Sequence, residues 1–514
     1  MLYDKLYDWQ QNIVANVMNK NSYGLFLDCG LGKTPISLSL AELNLCNKVM
    51  VITINSKAIE NEKTDGSWME WASKSDIPYT LYNKKATEFN SDNSFFVINY
   101  EGLFQRNEKG LFLKDNIVAF IKSCRQQNVA LIIDESHKMK NLQSKQTKAI
   151  NKIKFLFERT ASKLNVYLLT GTPFTQGFID LYTQLKMLGL EGTKSSFEEK
   201  FCIRGHLRNR ADWQQPIIGY KNVDALYDLV HQYALTIKKE EVIKLPPAIY
   251  VYKTLPMSED FKMFTMEKVA KETLLAYLKK RGIDYTDKTT TEYDIFYKQL
   301  FDTKLKVVDN PFYKNIDFPN DKYFCPQAGV FWLRARELSI GFQGNAESCV
   351  WFDKSRIEAV KQLLEEHEDN YILFYNFTPE INELYTICRD LGYNVDVYNA
   401  ETKSDYFYQK YAKQTEGEQL MNKKNIILAQ SISGSTGKNW QKYNKVIVFS
   451  TPMFSNWVQG KDRVRRIGQT ETQIYYVFAQ DNWLDNGMKE ALDKNTEYTE
   501  QLFMDGLKKA QKIY

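Results

Sequence analysis

Gly24-Leu-Phe-Leu-Asp-Cys-Gly-Leu-Gly-Lys-Thr34 and Leu131-Ile-Ile-Asp-Glu-Ser-His137 decide the fold of this chain. In the first stretch a short apolar run enters a glycine loop, and a helical pattern follows. Gly30 and Gly32, on either side of Leu31, let backbone N–H groups turn inward around phosphate oxygens. Lys33 is placed to reach β- and γ-phosphates, and the Thr34 hydroxyl to ligate Mg²⁺. Leu27 stands where the usual eight-residue pattern has its first glycine. A bare Gly-Lys-Thr also arises in ordinary turns. The second stretch resolves that ambiguity, because it is an apolar strand ending in two carboxylates. Asp134 is suited to hold Mg²⁺, directly or through water, and Glu135 to orient and deprotonate an attacking water. Together they predict a nucleoside triphosphatase that uses Mg²⁺.

Outward from these stretches, β-branched apolar runs recur, each closed by a polar or glycine turn. The first group is Leu25–Leu27, Val49–Ile54, Phe95–Ile98, Val129–Ile133 and Val166–Leu169. The second is Tyr371–Phe374, Val395–Tyr398, Ile426–Leu428, Val446–Phe449 and Ile474–Phe478. Amphipathic segments lie between many of them, which predicts an α/β fold with two parallel, doubly wound sheets. The stretches Ser258–Arg281 and Thr291–Val307 look helical and charged, and Pro246-Pro247 marks a break. The expected order is a first domain at 1–185, a mostly helical segment at 186–345, a second α/β domain at 346–485 and a final helix at 486–514. A length of 514 residues suits that plan.

Hydrophobic residues make up 43% and charged residues 25%, which excludes a disordered or fibrous chain. The net charge of +5 neither requires nor excludes nucleic acid, so that case rests on local patches. No apolar run spans a bilayer and no signal core opens the chain, so the expected location is the cytoplasm, with no membrane partner. The cysteines are scattered without a Cys-x-x-Cys pair and the histidines stand alone, so neither a disulfide framework nor a structural metal is expected.

Asp134-Glu135-Ser136-His137 resembles the Asp-Glu-x-His box of superfamily 2 helicases, and Thr170-Gly171-Thr172-Pro173 their motif III. Gln459-Gly-Lys-Asp-Arg463-Val-Arg465-Arg466-Ile467-Gly468-Gln469 is similar to motif VI of the Swi/Snf-type branch, and its Arg-Ile-Gly-Gln ending is the most family-specific feature. Ser431–Asn439 looks like that branch's motif V, Phe96–Leu103 its motif Ib, Ile372–Phe377 its motif IV, and Leu245-Pro-Pro the start of its inter-domain segment. Trp9-Gln10 sits where the family reads adenine. The resemblance covers residues 6–480 and implies two RecA-like domains with ATP in the cleft between them. Four departures stand out. Lys238-Lys239 replaces a usual Arg-Arg pair, which is expected to loosen a brace there. Asp28 lies one place nearer the glycines than the usual acidic residue. Ser450 takes the place of an Asp. Motif Ia, at Ile54–Lys57, lacks its proline.

The resemblance implies Gln10, Gly30, Leu31, Gly32, Lys33, Thr34 and Gly437 as the nucleotide contacts. Arg463 and Arg466, three apart and expected on one helical face, become candidate arginine fingers, and Gln459 a γ-phosphate or water sensor. Lys57, Asn99, Tyr100, Thr378, Ser433 and Lys438 fall at motif positions that grip nucleic-acid phosphates. From Lys438 to Arg466 there are seven Lys/Arg against one Asp. The expected function is an ATP-dependent DNA translocase or helicase acting on duplex or branched DNA, with single strands as another track. A monomer is the default. The Lys-, Asn-, Ile- and Tyr-rich composition hints at an AT-rich bacterial or viral genome, and so at work beside replication or recombination proteins. An RNA helicase, or a non-catalytic DNA-binding scaffold or restriction-complex subunit, is the alternative.

Overall fold

The computed structural model describes residues 1–58, 66–78, 81–82, 92–107, 110–174, 177–205, 217–258, 261–262, 328–344, 349–421, 423–434, 439–466 and 468–493. The chain divides into two units, Met1–Lys244 and Leu245–Tyr514.

The first unit is built on a seven-stranded, all-parallel sheet. Its strands are β1 (Ser22–Leu27), β2 (Lys48–Thr53), β3 (Leu81–Tyr82), β4 (Phe95–Asn99), β5 (Asn128–Asp134), β6 (Lys163–Leu169) and β7 (Ala234–Ile237). They lie in the order β7-β1-β6-β5-β2-β4-β3. A parallel sheet with helices on both faces needs strands that are apolar at every position. Residue alternation then divides them between two cores. Phe26, Met50, Ile52, Leu131, Ile133 and Leu168 enter one core, and Leu25, Leu27, Val49, Val51, Ile132 and Leu169 the other.

The second unit repeats the scheme with six parallel strands. They are β8 (Ala248–Leu255), β9 (Tyr371–Tyr375), β10 (Asn394–Tyr398), β11 (Asn425–Gln430), β12 (Lys445–Val448) and β13 (Gln473–Gln480). The order is β8-β13-β12-β9-β11-β10. Again Leu373, Leu428 and Ile447 face one core, and Ile372, Ile427 and Val446 the other. Buried Arg356 links this sheet to the helix Trp483–Asp493. Its guanidinium donates to the Phe449 carbonyl at 2.9 Å and to Asp485 at 2.7 Å.

Every apolar run expected to be a strand is one. The stretch expected as a mostly helical segment is divided instead. Its strand β7 completes the first sheet and β8 the second, and the units meet at Lys244 and Leu245. Residues 263–327, which hold most of the expected charged helices, lie outside the described residues, as does the end of the final helix beyond Asp493.

Candidate active site

The glycine loop links β1 to helix α2 (Lys33–Leu43). Gly30 and Gly32 have φ of 82° and 74°, a left-handed conformation that favours glycine. At Gly32 a Cβ would also lie 2.3 Å from the Gln10 amide nitrogen. Gln10, on helix α1 (Asp8–Val17), is buried. Its Nε2 donates to the Leu31 carbonyl at 3.1 Å, and its Oε1 accepts from the Tyr7 N–H at 3.1 Å. The residue expected to read adenine is thus bonded to the loop. Lys33 Nζ donates to the Leu27 and Asp28 carbonyls at 2.7 and 3.2 Å, and the Thr34 side chain is half-buried.

Beside Lys238-Lys239, two hydrogen bonds hold Asp28 to the end of β7 and the chain that follows it. Asp28 Oδ2 accepts from the Lys239 N–H at 2.8 Å, and the Asp28 N–H donates to Ile237 at 3.1 Å. Neither bond uses a basic side chain, and both tie β7 to the loop.

At the end of β5 the Asp134 side chain is buried and densely bonded. Its Oδ2 accepts from Thr53 Oγ1 at 2.9 Å, Lys57 Nζ at 2.9 Å and Trp68 Nε1 at 3.2 Å, and its Oδ1 accepts from the Glu135 N–H at 3.0 Å. Burial works against its charge, yet the Lys57 ammonium, with the Thr53 and Trp68 donors, holds the carboxyl below its ordinary range. Glu135 turns the chain with φ of 53°, and its Oε1 lies 3.6 Å from Lys57 Nζ. Glu135 Oε2 lies 3.5 Å from His137 Nδ1, and burial pushes that imidazole's pKa down.

Contacts join these two halves. His137 Nδ1 is 3.0 Å from Thr170 Oγ1, just after β6. Next along, Gly171 packs so closely that a Cβ would lie 2.8 Å from Cys29 Sγ in the glycine loop. Sheet order places β6 between β1 and β5, so the loop, Thr170–Thr172 and Asp134-Glu135 share the C-terminal edge of one parallel sheet. Ligands of open α/β sheets bind at that edge.

Three residues were not singled out from sequence. Thr53 closes β2, whose Ile52 pairs with Ile133, so that register carries it to Asp134. Gln184 accepts from the Ser136 hydroxyl at 2.7 Å. Trp68 reaches Asp134 from a separate helix, Trp68–Ser73, and no local pattern announces it.

Two of this unit's three expected phosphate contacts, Tyr100 and Lys57, bond to the Asp134-Glu135 turn. Tyr100 is buried and its hydroxyl donates to the Asp134 and Glu135 carbonyls at 2.7 and 3.2 Å, so it supports the turn. Asn99 is buried as well, with Nδ2 on Glu101 at 2.8 Å. Lys57 is ion-paired to Asp134.

In the second unit, Gln459 and Arg463 sit one turn apart on the helix Phe454–Val464, both half-buried. That helix ends before Arg466, which corrects the expectation that the two arginines share a helical face. The Trp440 N–H donates to the Arg463 carbonyl at 2.8 Å, competing for the acceptor that the next turn would need. Arg466 lies half-buried in the loop that follows. Gln469, last of the Arg-Ile-Gly-Gln ending, is buried and donates to the Gln441 carbonyl at 2.8 Å, fixing that loop. Thr378 is exposed at the start of the helix Thr378–Asp390, and Ser433 is buried. Gly437 and Lys438 lie outside the described residues. Ser450 bonds Glu380, with its Oγ 2.8 Å from Oε2.

Residues 4–174 match the family model described as the res subunit of type III restriction enzymes. Over 123 residues the chain is 32% identical to the TATA-binding protein-associated factor MOT1 of Saccharomyces cerevisiae, a stretch that is 23% of this chain and 6% of that protein. The helicase domain of Pyrococcus furiosus Hef aligns over 95% of this chain and 98% of its own, at 14% identity and a TM-score of 0.50. The likeness to a Swi/Snf-type superfamily 2 helicase rests on the family-model and MOT1 matches, both partial. The Hef alignment shows a shared fold. A Swi2/Snf2 ATPase core of Sulfolobus solfataricus, in complex with dsDNA, aligns over 97% of this chain and 92% of its own, at 19% identity and a TM-score of 0.37. Among the described residues no helix is long and apolar enough to cross a membrane.

Proposed function

We propose that this chain is a DNA-stimulated ATPase of the Swi/Snf-type helicase superfamily that moves along duplex or branched DNA. The observation that carries the reading is the Asp134-Glu135 turn, ionised at Asp134 and joined through His137, Thr170 and Gly171 to the glycine loop. Gly30, Leu31, Gly32 and Lys33 hold the triphosphate, and Gln10 lies beside them. The Thr34 hydroxyl and the Asp134 carboxylate form an all-oxygen donor pair, the chemistry a hard divalent cation such as Mg²⁺ prefers. When bound, Mg²⁺ neutralises phosphate charge. Glu135 takes the proton of the attacking water, with neutral His137 beside it.

The second unit contributes charge. Arg466, with Arg463, answers the negative charge that develops on the γ-phosphoryl group, a contribution worth about 10³–10⁵ in rate. Gln459, one turn before Arg463, senses the water or phosphate. Thr378, Ser433 and Lys438 are the proposed backbone grips of this unit. Duplex preference follows the Arg-Ile-Gly-Gln ending, and branched intermediates of replication or recombination are the proposed setting.

The test is the steady-state ATPase rate at fixed salt without nucleic acid and with single-stranded DNA, duplex DNA, a branched junction and RNA. Salt is held constant because phosphate-driven binding falls steeply with it. Strongest stimulation by duplex or branched DNA is expected. Stimulation by RNA alone would replace the track, and absence of turnover on every polynucleotide would overturn the enzyme.

A further inference from the structure

Thr53, Lys57 and Trp68 all donate to one oxygen, Asp134 Oδ2, and they are not equivalent. Thr53 is fully buried and Trp68 nearly so, and both are neutral. Lys57 is charged, lies on the short helical turn Asn55–Ala58 and keeps 23% of its side chain exposed. Its ammonium stands 2.9 Å from Asp134 and 3.6 Å from Glu135, so it neutralises both carboxylates. A divalent cation on Asp134 would compete for the same carboxylate and supply positive charge of its own. Of these three donors only Lys57 combines a positive charge with a route to solvent.

We infer that Lys57 is a displaceable counter-ion of the Asp134-Glu135 pair, competing with the divalent cation until a nucleic-acid phosphate draws the ammonium away. This rests on the reading that Asp134 receives Mg²⁺. In the structure Lys57 is paired with the carboxylate proposed to receive the metal. A phosphate diester near the exposed end of Lys57 offers the ammonium another anion. Asp134 then keeps the neutral donors Thr53 and Trp68, and its charge is free for the cation. Binding of the polyanion and of the metal nucleotide thereby become favourable to each other, and that coupling is reciprocal by linkage. The position that sequence assigned to a phosphate grip is thus the position that guards the hydrolytic carboxylates.

The experiment uses the full chain and the slowly hydrolysed analogue ATPγS, with its binding followed as Mg²⁺ is titrated. Wild type, Lys57→Met and Lys57→Arg are compared with and without a short duplex DNA. Removing one nearby charge shifts such an equilibrium by about tenfold or more. Without DNA, Lys57→Met is expected to reach half-maximal nucleotide binding at about a tenth of the wild-type Mg²⁺ concentration. Duplex DNA is expected to lower the wild-type requirement by a similar factor and to leave that of Lys57→Met unchanged. Lys57→Arg, which retains the charge, is expected to follow wild type. Equal Mg²⁺ dependence of wild type and Lys57→Met would overturn the inference. So would a wild-type requirement that duplex DNA does not move, a result independent of any variant. Failure of wild type to bind ATPγS at any Mg²⁺ concentration would overturn the nucleotide site itself, and with it this inference.

Discussion

Asp134, the last residue of β5 in the first unit, and Glu380, in the first turn of the helix Thr378–Asp390 in the second, are both buried carboxyls, and their acidities move in opposite directions. Asp134 accepts four hydrogen bonds, one of them from the Lys57 ammonium, and stays below its ordinary pKa. Glu380 accepts from the N–H groups of Asn376 and Phe377 at 3.1 and 3.3 Å and from the Ser450 hydroxyl at 2.8 Å. Every one of those donors is neutral. Arg356, whose field also reaches Glu380, is already bonded to Asp485. Burial therefore dominates and pushes Glu380 up to about 7. A comparable number of hydrogen bonds gives opposite outcomes, and the ammonium decides between them. The first unit keeps a charge ready for chemistry. The second keeps a carboxyl poised near neutrality, where it organises the turn that leads into the helix Thr378–Asp390.

Ser450→Asp should disturb the contrast most. It restores the residue the family often carries, but it sets a second carboxylate against Glu380. Leaving a buried charge uncompensated costs about 3–5 kcal/mol, so denaturant unfolding of the variant at pH 8 should show a loss on that order. The loss should shrink at pH 5.5, where Glu380 is protonated. An equal loss at both pH values would mean that charge is not its cause.

Glu380→Gln sharpens the contrast with a smaller effect. The folded pKa of about 7 lies above the ordinary 4.5. The folded state therefore holds a proton that the unfolded state has released. This contribution is complete below about pH 4.5 and is lost as pH rises through about 7, on the order of 3 kcal/mol in all. Thermal unfolding of wild type should decline over that window relative to Glu380→Gln. Parallel pH profiles for the two proteins would contradict the assignment.

The strands buried on both faces were legible because each reads as an unbroken apolar run. The edge strands β7 and β8 were not. β8 has Ile249, Tyr250 and Tyr252 exposed and carries Lys253 in its sequence, and β7 is only Ala-Leu-Thr-Ile. Neither shows a period that local reading resolves, and each is recruited by the neighbouring strand. The glycine loop and Asp134-Glu135 were legible because their chemistry is contiguous in sequence. Trp68 and the tie from the Asp28 carboxylate to the Lys239 N–H were not, because the fold creates them across long separations. Arg466 shows a third case. Its spacing from Arg463 suggested a shared helical face, and a tertiary hydrogen bond from Trp440 favours another path for the chain.

The central claim is that Glu135 performs the hydrolytic step beside a carboxylate already charged. Its most direct test is single-turnover hydrolysis of ATP by Glu135→Gln on duplex DNA, with ATP binding measured in the same samples. The expected result is ATP binding close to wild type with hydrolysis slowed by about 10²–10⁴. Hydrolysis by Glu135→Gln at the wild-type rate would contradict it.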